Sequence, residues 1–447
     1  MAARAAESPS GKVSEVFAEG RERPGAYDLL ESGLVDPVAL AIALGEATAR
    51  RAGNQAFTLV AVDGSSIALV DRGACKDFGS LGALSDGGRG LKVISALGIS
   101  PEGVPLGLFS QVWWARTQAR KQSSKERRRR NRNRKVEEKE TRYWLTAIED
   151  ACTHAQDTKA RLWFQLDREG DNRNILLTLA ESGHRFTVRG SWDRLIKATG
   201  NDKQYLRRRL EREAPGGQYM LEVSGGPHRT ARSACLVVRW ACVVLRLRDR
   251  RCKSERPLEV TAVWTHEEGT CPAGEKPLDW LLLTNATVHT FEKAQHVIWG
   301  YTQRWRIEEF HKTWKTGNCE VEQTQLRSQR AVCVWATLLA AVAIRIERLK
   351  LLSRTAPEQP ASIELKPHEI RALILLKRQL RKRTEVIPDT MPTIGPATLW
   401  IAQLGGYMGK SSGAPGSITM GRGLDRLWPA AHLLKALEAE PGSGRDG

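Results

Sequence analysis

The sequence predicts an α/β fold with a β-strand insertion in its middle and a helical C-terminal region. Two short segments rich in β-branched and aromatic residues, 57–62 and 161–166, are typical of buried strands. Each is followed at once by an aspartate, Asp63 in the first case and Asp167 in the second. Open α/β sheets bind ligands at the carboxyl ends of their strands, so the same pattern indicates where a site would lie.

The N-terminal 55 residues are expected to contribute little regular structure. Residues 1–26 have a low apolar content, which predicts a poorly ordered segment. Residues 27–55 carry apolar side chains at helical spacing and are predicted to form one or two short helices.

We predict that residues 56–191 and 289–355 form the α/β core. A Gly-Ser-Ser sequence after Asp63 is expected to turn the chain into a further strand. A turn-forming aspartate is therefore an alternative explanation of Asp63, because Asp-Gly is a common hairpin pair. Asp171 is explained as the cap of the helix that follows it, whereas capping does not account for Asp167.

A dense basic run occupies residues 116–135, in which eleven side chains are Lys or Arg. Its centre is the sequence Arg127, Arg128, Arg129 and Arg130. Charges of one sign repel each other, so we expect a basic loop that stays disordered until it meets phosphate groups. Contact with nucleic acid is the favoured interpretation, and a merely solvated loop is the alternative.

Residues 290–316 are predicted to form one helix with a polar strip. Each residue turns a helix by about 100°, and four polar side chains then share a strip about 60° wide: Tyr301, Arg304, Glu308 and Lys315. Glu309 points in another direction. One carboxylate among two cations and a phenol suits a metal ion held beside a phosphate. A solvated charged face is the alternative.

The remaining segments complete the predicted architecture. Residues 192–288 alternate polar stretches with short β-like runs and are predicted to be a β insertion, whose last strand carries Trp280. Residues 356–447 are predicted to be helical. An apolar helix near 332–352 is assigned to the core.

The overall charge indicates a polyanionic partner. Lys and Arg number 69 against 51 Asp and Glu, which gives a formal net charge of +18 and favours nucleic acid. The longest apolar run, 331–344, is shorter than the roughly 20 residues that a membrane helix needs. No secretory segment follows Met1, so we expect a cytoplasmic protein without membrane association.

Three carboxylates stand out as candidate metal ligands. Asp63 and Asp167 follow strands, and Glu308 lies on a later helix. Two Mg²⁺ ions held by such carboxylates can activate a nucleophile and stabilise a leaving oxygen. This arrangement is typical of nucleases and polynucleotidyl transferases with a ribonuclease-H-like sheet.

The motifs resemble those of the cut-and-paste DDE transposases, specifically bacterial insertion sequences of the transposon-five type in the insertion sequence four family. The segment YTQRWRIEEFHKTWKTG at 301–317 is similar to the Tyr-Arg-Glu-Lys motif of this family. Further matching segments occur in the family's order: DGSS at 63–66, KDFGSLG at 76–82, VWW at 112–114, DREGD at 167–171, PLDWLLLT at 277–284 and IAQLGGYM at 401–408. The resemblance extends over about residues 27–440.

The resemblance implies a role for each matching residue. Asp63, Asp167 and Glu308 would be the catalytic ligands of two Mg²⁺ ions, for which Mn²⁺ could substitute. Three side chains of the polar strip would hold the phosphate next to the scissile bond: Tyr301, Arg304 and Lys315. Trp280 would stack on a base flipped out of the DNA, although an ordinary core tryptophan is an equal alternative.

The resemblance also implies the fold and the reaction. The core would be ribonuclease-H-like, and the C-terminal helices a dimerisation region. Two chains would hold transposon ends and target DNA, both double-stranded, in a synaptic complex, and would perform nicking, hairpin formation and strand transfer. The family's N-terminal DNA-binding domain is expected to be reduced to a short helical remnant at 27–55. A dimerising but inactive regulator and a stand-alone nuclease are the competing hypotheses.

Overall fold

One mixed β-sheet of twelve strands runs through the computed structural model of the chain. The structure describes all residues except 73–74, 83–87, 118–122, 198–202, 224, 227–228, 250, 382–384, 388, 410–412 and 440–447. The strands are β1 Thr58–Ala68, β2 Gly79–Ser80, β3 Arg89–Ile99, β4 Pro105–Trp114, β5 Leu162–Leu166, β6 Arg185–Arg189, β7 Leu195–Ile196, β8 Gln204–Tyr205, β9 Gly217–Val223, β10 Arg232–Arg248, β11 Glu255–Glu268 and β12 Asp279–Thr284.

Helices cover both faces of the sheet and form the two ends of the chain. In the described part of the chain they are α1 Ala2–Glu7, α2 Val13–Val16, α3 Glu22–Glu31, α4 Pro37–Ala52, α5 Ser124–Asn133, α6 Thr141–Thr158, α7 Arg173–Glu181, α8 Leu206–Glu211, α9 Phe291–Thr302, α10 Trp305–Lys315, α11 Gln329–Thr355, α12 Pro367–Leu380, α13 Ile394–Leu404 and α14 Ser417–Ala439. The molecule is therefore mixed α/β with a helical C-terminal region, as predicted.

Strand β1 lies between an antiparallel neighbour and a parallel one. β3 pairs with it antiparallel from Leu59 to Ala68. β5 pairs with it in parallel only as far as Val62, which lies opposite Leu166. The predicted turn after Asp63 is wrong, because pairing with β3 keeps the chain extended for five more residues.

Alternate side chains of β1 enter two separate cores. Leu59 and Ala61 pack on the face that carries α9 to α14. Val60 and Val62 pack on the opposite face against α4, α6 and α7. Because strand side chains alternate, Asp63 belongs to the face of α9 and α10.

The predicted insertion continues the same sheet. β12 pairs antiparallel with β6, and β11, β10 and β7 follow outward. The strands of residues 192–288 therefore extend the sheet that carries Asp63 and Asp167. Where one domain ends and the next begins stays a prediction.

The N-terminal segment is folded against α11. The Trp335 indole donates hydrogen bonds to the carbonyls of Ser10 (3.2 Å) and Gly11 (3.0 Å), and Phe17 packs beside its ring. The predicted poor order of residues 1–26 is wrong. Few apolar side chains are present, but α11 supplies the surface that buries them, which local composition does not reveal.

The described part of the basic run is helical. α5 begins with a capping box in which Ser123 accepts a hydrogen bond from the Glu126 amide and the Glu126 carboxylate accepts one from the Ser123 amide. The predicted basic loop at 116–135 is therefore wrong for 124–133, because the cap and the helix propensity of arginine outweigh charge repulsion. Residues 118–122 lie outside the described residues.

Two further features bear on the sequence predictions. The cap of α7 is Asn172, whose side chain accepts from the Asn174 amide, so the assignment of Asp171 as this cap is wrong. Among the described residues, no helix combines the length and apolar composition needed to cross a bilayer.

Candidate active site

Asp63 and Asp167 lie side by side at the end of the parallel strand pair. The last residues paired between β1 and β5 are Val62 and Leu166. Asp63 directly follows Val62 in the sequence, and Asp167 directly follows Leu166. Adjacent strands lie about 4.8 Å apart, so the two residues leave the paired region as neighbours. The register of two parallel strands thus brings together carboxylates that are far apart in sequence.

Arg304 connects Asp63 with Glu308. Its guanidinium donates to Oδ2 of Asp63 over 3.1 Å and to Oε1 of Glu308 over 2.5 Å. The other Asp63 oxygen accepts the amide of Gly64 at 2.8 Å. The side chains of Asp63 and Arg304 are 18% and 12% exposed, so this contact is largely shielded from water.

The electrostatics of Asp63 reflect the charges of the other two carboxylates. Burial raises the pKa of Asp63 to about 7, against the opposing charge of Arg304. The negative charges of Asp167 and Glu308 contribute further to the increase. One guanidinium therefore does not neutralise the group, and a further cation would be stabilised there.

Asp167 organises the turn that follows β5. Its Oδ1 accepts the amide of Glu169 at 2.8 Å and caps the short 3₁₀ turn Arg168–Gly170. Burial, followed by the charge of Asp167, raises the pKa of Glu169. Asp167 and Glu169 are thus neighbouring acids in this turn, which also contains Arg168.

The predicted helix at 290–316 is interrupted between α9 and α10. Short-range bonds from the Arg304 amide to the Tyr301 carbonyl and from the Arg306 amide to the Gln303 carbonyl tighten the chain there. The chain keeps helical dihedral angles through this junction. The helical alignment of the polar strip is therefore retained. Glu308 and Glu309 have different partners, because Glu308 accepts a hydrogen bond from Arg304 and Glu309 accepts one from Arg306.

Tyr301 and Trp280 form an aromatic pair behind Arg304. Their ring centroids are 6.0 Å apart at 64°, and the Arg304 guanidinium lies 5.9 Å from the Tyr301 ring centroid. Tyr301 is buried, whereas Trp280 is partly exposed and packs on the core. The pair is therefore adjacent to the carboxylates, and a stacking role for Trp280 stays a prediction.

Lys315 lies at the far end of α10, beside the end of β1. Its ammonium is 3.5 Å from Glu322, whose carboxylate also accepts the Ala68 amide. Lys92 of β3, a residue that the sequence interpretation missed, is nearby: burial lowers its pKa, and the positive charges of Arg116 and Lys315 contribute. The alternation of β3 could have suggested it, because Lys92 interrupts an apolar strand.

The four arginines at 127–130 lie on α5, and Arg129 and Arg130 are exposed. The structure groups Asp63, Glu308, Arg304, Tyr301 and Trp280, and contact of the basic run with DNA stays a prediction.

The donor set suits a hard cation by its chemistry. Carboxylate oxygens are the ligands that Mg²⁺ prefers, and the charges of Asp167 and Glu308 add to the effect of burial in raising the pKa of Asp63. Within the described ranges, however, no three His, Cys, Asp or Glu side chains are grouped closely enough to hold a metal ion. The Arg304 guanidinium lies between two of the candidate ligands instead.

The C-terminal region is similar to a known dimerisation domain. Residues 341–432 match the family model described as the transposase Tn5 dimerisation domain. They comprise the second half of α11, then α12 and α13, and most of α14. This match supports a Tn5-type transposase that pairs with a second copy of itself.

Proposed function

We propose that the protein is a DNA transposase that acts by metal-dependent phosphoryl transfer in a ribonuclease-H-like core. The observation that carries this proposal is the register of β1 and β5, which makes Asp63 and Asp167 neighbours, with Glu308 joined to Asp63 through Arg304. The dimerisation match at 341–432 adds the pairing that a synaptic complex needs.

The sheet topology supports the ribonuclease-H-like part of the proposal. Strands β4, β3 and β1 form an antiparallel meander, and β5 and β6 then add in parallel. A transposase of the insertion sequence four family with the Tyr-Arg-Glu-Lys motif would place its acids as this sheet does. The insertion would then extend the DNA-binding side of the core.

Asp63, Asp167 and Glu308 are the residues that would hold Mg²⁺. The ions would supply an activated hydroxyl and charge stabilisation at the leaving oxygen. Arg304 pairs with two of these carboxylates in the described state, so a bound cation would release its guanidinium toward a phosphate. A fork-shaped donor suits that second role, since guanidinium groups bind phosphate oxygens in pairs.

Tyr301 and Lys315 would complete the phosphate contacts from the same strip. Tyr301 packs against Arg304 and limits where the guanidinium can move. Trp280, next to Tyr301, would present a ring face to an extruded base. Nicking by an activated water, and hairpin formation and strand transfer by the freed 3′-OH, would then use one set of groups.

A stand-alone nuclease and an inactive dimerising regulator are the competing functions. A 3′-OH oligonucleotide that ends in the element's terminal repeat, incubated with labelled plasmid and Mg²⁺, distinguishes all three. A transposase joins the oligonucleotide to the plasmid, a nuclease cuts without joining, and a regulator does neither. Strand joining that disappears in Asp167→Asn would support the proposal, and absence of both products would contradict it.

A further inference from the structure

The loop between β6 and β7 is fastened to the turn that follows Asp167. The fastening residue is Asp171, whose side chain is fully shielded from solvent. Its Oδ2 accepts the amides of Ser191 (2.7 Å) and Trp192 (3.2 Å), and its Oδ1 accepts Arg194 Nε at 2.8 Å. The position of this loop is therefore fixed relative to the candidate site.

A second contact joins the loop to the same turn. The Ser191 hydroxyl donates to the carbonyl of Arg168, the residue after Asp167, over 2.8 Å. On this anchored loop the indole of Trp192 is 66% exposed. A large aromatic ring that is exposed to water on a fixed backbone offers apolar surface that a binding partner could bury.

The surface around Trp192 carries aromatic rings and several cations. The loop contacts the start of α8, because the Leu206 amide donates to the Arg194 carbonyl and the Arg207 amide donates to Asp193. Exposed basic and aromatic side chains on this surface, which we name the α8 surface, are Arg168, Trp192, Tyr205, Arg208 and Arg212, and the acids Asp193 and Glu211 are exposed beside them. Arg208 and Arg212 are four residues apart and so lie on one side of the helical turn and its continuation.

Cations interleaved with exposed aromatic rings are suited to nucleic acid. Guanidinium groups bind phosphates, and an aromatic face stacks on an unpaired base of any sequence. Trp192 is a different ring from Trp280, which lies on β12 and packs against Tyr301 of α9, although α8 reaches the same strand because Arg207 pairs with Asp279. A protein partner is a different class of ligand, and a net charge of +18 favours the polyanion.

We propose that the α8 surface binds DNA beside the scissile phosphate, with Trp192 stacking on an unpaired base and Arg208 and Arg212 contacting the backbone. This rests on the proposed function, since it needs the reacting phosphate to lie near Asp167. Asp171 then acts as a positioning residue that holds the loop against the catalytic turn.

The first test measures the affinity for a labelled duplex with a three-base single-stranded end. Binding is measured by fluorescence anisotropy without divalent ions, in a Glu308→Gln background. We expect Trp192→Ala to weaken binding about fivefold to a hundredfold. Trp192→Phe should retain most of the affinity, whereas Trp192→Leu, which keeps apolar bulk without a ring, should not. Equal affinity of the Ala, Leu and Phe variants would overturn the stacking role.

The second test concerns the arginines. Arg208→Ser with Arg212→Ser should lower the slope of log K against log salt by about 1.8, from roughly 0.9 per phosphate contact. Arg209→Ser is the matched control, because Arg209 lies on α8 and pairs with Glu213 four residues further along the chain, and its slope should equal that of the unmodified chain. An unchanged slope in the double variant would overturn the backbone contacts.

The proposed function and this inference fail in different ways. If the chain binds DNA and joins strands but the α8 variants behave as the unmodified protein, only the inference is wrong. If the chain binds no DNA at all, both are wrong.

Discussion

Helix α10 separates two ionic clusters of opposite character. On one side, three carboxylates lie near one guanidinium: Arg304 pairs with Asp63 and Glu308, and the charge of Asp167 acts on Asp63. On the other side, two carboxylates meet two cations: Glu309, Glu347, Arg306 and Lys350. The first cluster is short of positive charge, whereas the second is balanced within the protein.

The pKa values follow this difference. Burial raises the pKa of Asp63 to about 7 despite Arg304. Burial also opposes ionisation of Glu309, but Arg306 and Lys350 outweigh it and lower its pKa. Glu308 and Glu309, adjacent residues on one helix, therefore have different roles. The Glu308 cluster is arranged for an added cation, and the Glu309 cluster holds helices together.

The balanced cluster joins α10 to the dimerisation segment. Glu347, which is 1% exposed, accepts the hydroxyls of Thr313 (2.5 Å) and Ser417 (2.6 Å). Lys350 contacts Glu347 and donates to Glu309 at 3.0 Å. Helices α10, α11 and α14 are therefore fixed to one another through buried polar groups.

The largest effect is expected from removing a carboxylate of the first cluster. Asp63→Ala, Asp167→Ala or Glu308→Ala should lower strand cleavage in Mg²⁺ by about a thousandfold or more, because several kcal/mol of charge stabilisation is lost. DNA binding should stay nearly intact. Glu309→Ala is the matched control and should cleave far better than Glu308→Ala. Similar cleavage rates for these two variants would remove the distinction between the clusters.

Breaking the balanced cluster should act on stability first. Lys350→Met leaves the buried Glu347 without its cation, and the free energy of unfolding should fall by about 3–5 kcal/mol. Lys312→Met, at an exposed position of α10, should change it by less than about 0.5 kcal/mol. Urea titration measures both. A Lys350→Met protein as stable as the Lys312→Met protein would show that the buried ion pair contributes nothing.

The sequence predicted what depends on local pattern. The strand before Asp167 and the helical polar strip follow from apolar periodicity and helical geometry, and the structure has β5 ending at Leu166 and α10 carrying Glu308 and Lys315, whereas β1 continues past Asp63 to Ala68. Which carboxylates meet depends on the register of β1 and β5, which periodicity does not specify. The resemblance supplied that grouping, and the roles of these residues stay predictions.

The failures have physical causes of the same kind. Residues 1–26 are ordered by α11, more than 300 residues away in sequence. Asp171 looked like a helix cap from its spacing, but it is buried against a loop twenty residues further along. Glu347, three residues before Lys350, was the local signal for an ion pair, but the other partners of Lys350, Glu309 and Ser417, lie on other helices.

The charge deficit of the first cluster should appear as a pH dependence of stability. The pKa of Asp63 rises from its ordinary 3.8 to about 7 on folding, so the folded state binds this proton more tightly than the unfolded state. The protonated form contributes fully below about pH 4, and the contribution disappears as pH rises through 7. The loss is at most about 4 kcal/mol.

Asp63→Asn should remove this dependence. Urea unfolding from pH 4 to 8 without divalent ions should show wild-type stability falling relative to the variant. Added Mg²⁺ at pH 7.5 should then raise the melting temperature of the wild type more than that of Asp63→Asn. Parallel pH profiles for the two proteins would contradict the charge deficit.

The smallest effect is expected at α5, which has a surplus of cations where the first cluster has a deficit. Replacing Arg127–Arg130 with Ser should weaken DNA binding equally for all sequences. If each arginine meets one phosphate, the slope of log K against log salt falls by up to about 3.6. Arg371→Ser with Arg378→Ser is the control, because both arginines pair with acids, Glu438 and Asp389. The slope is measured from binding isotherms at 50 to 200 mM salt. A slope equal to that of the control would mean that α5 is only solvated, and that the cations which contact DNA lie closer to the carboxylates.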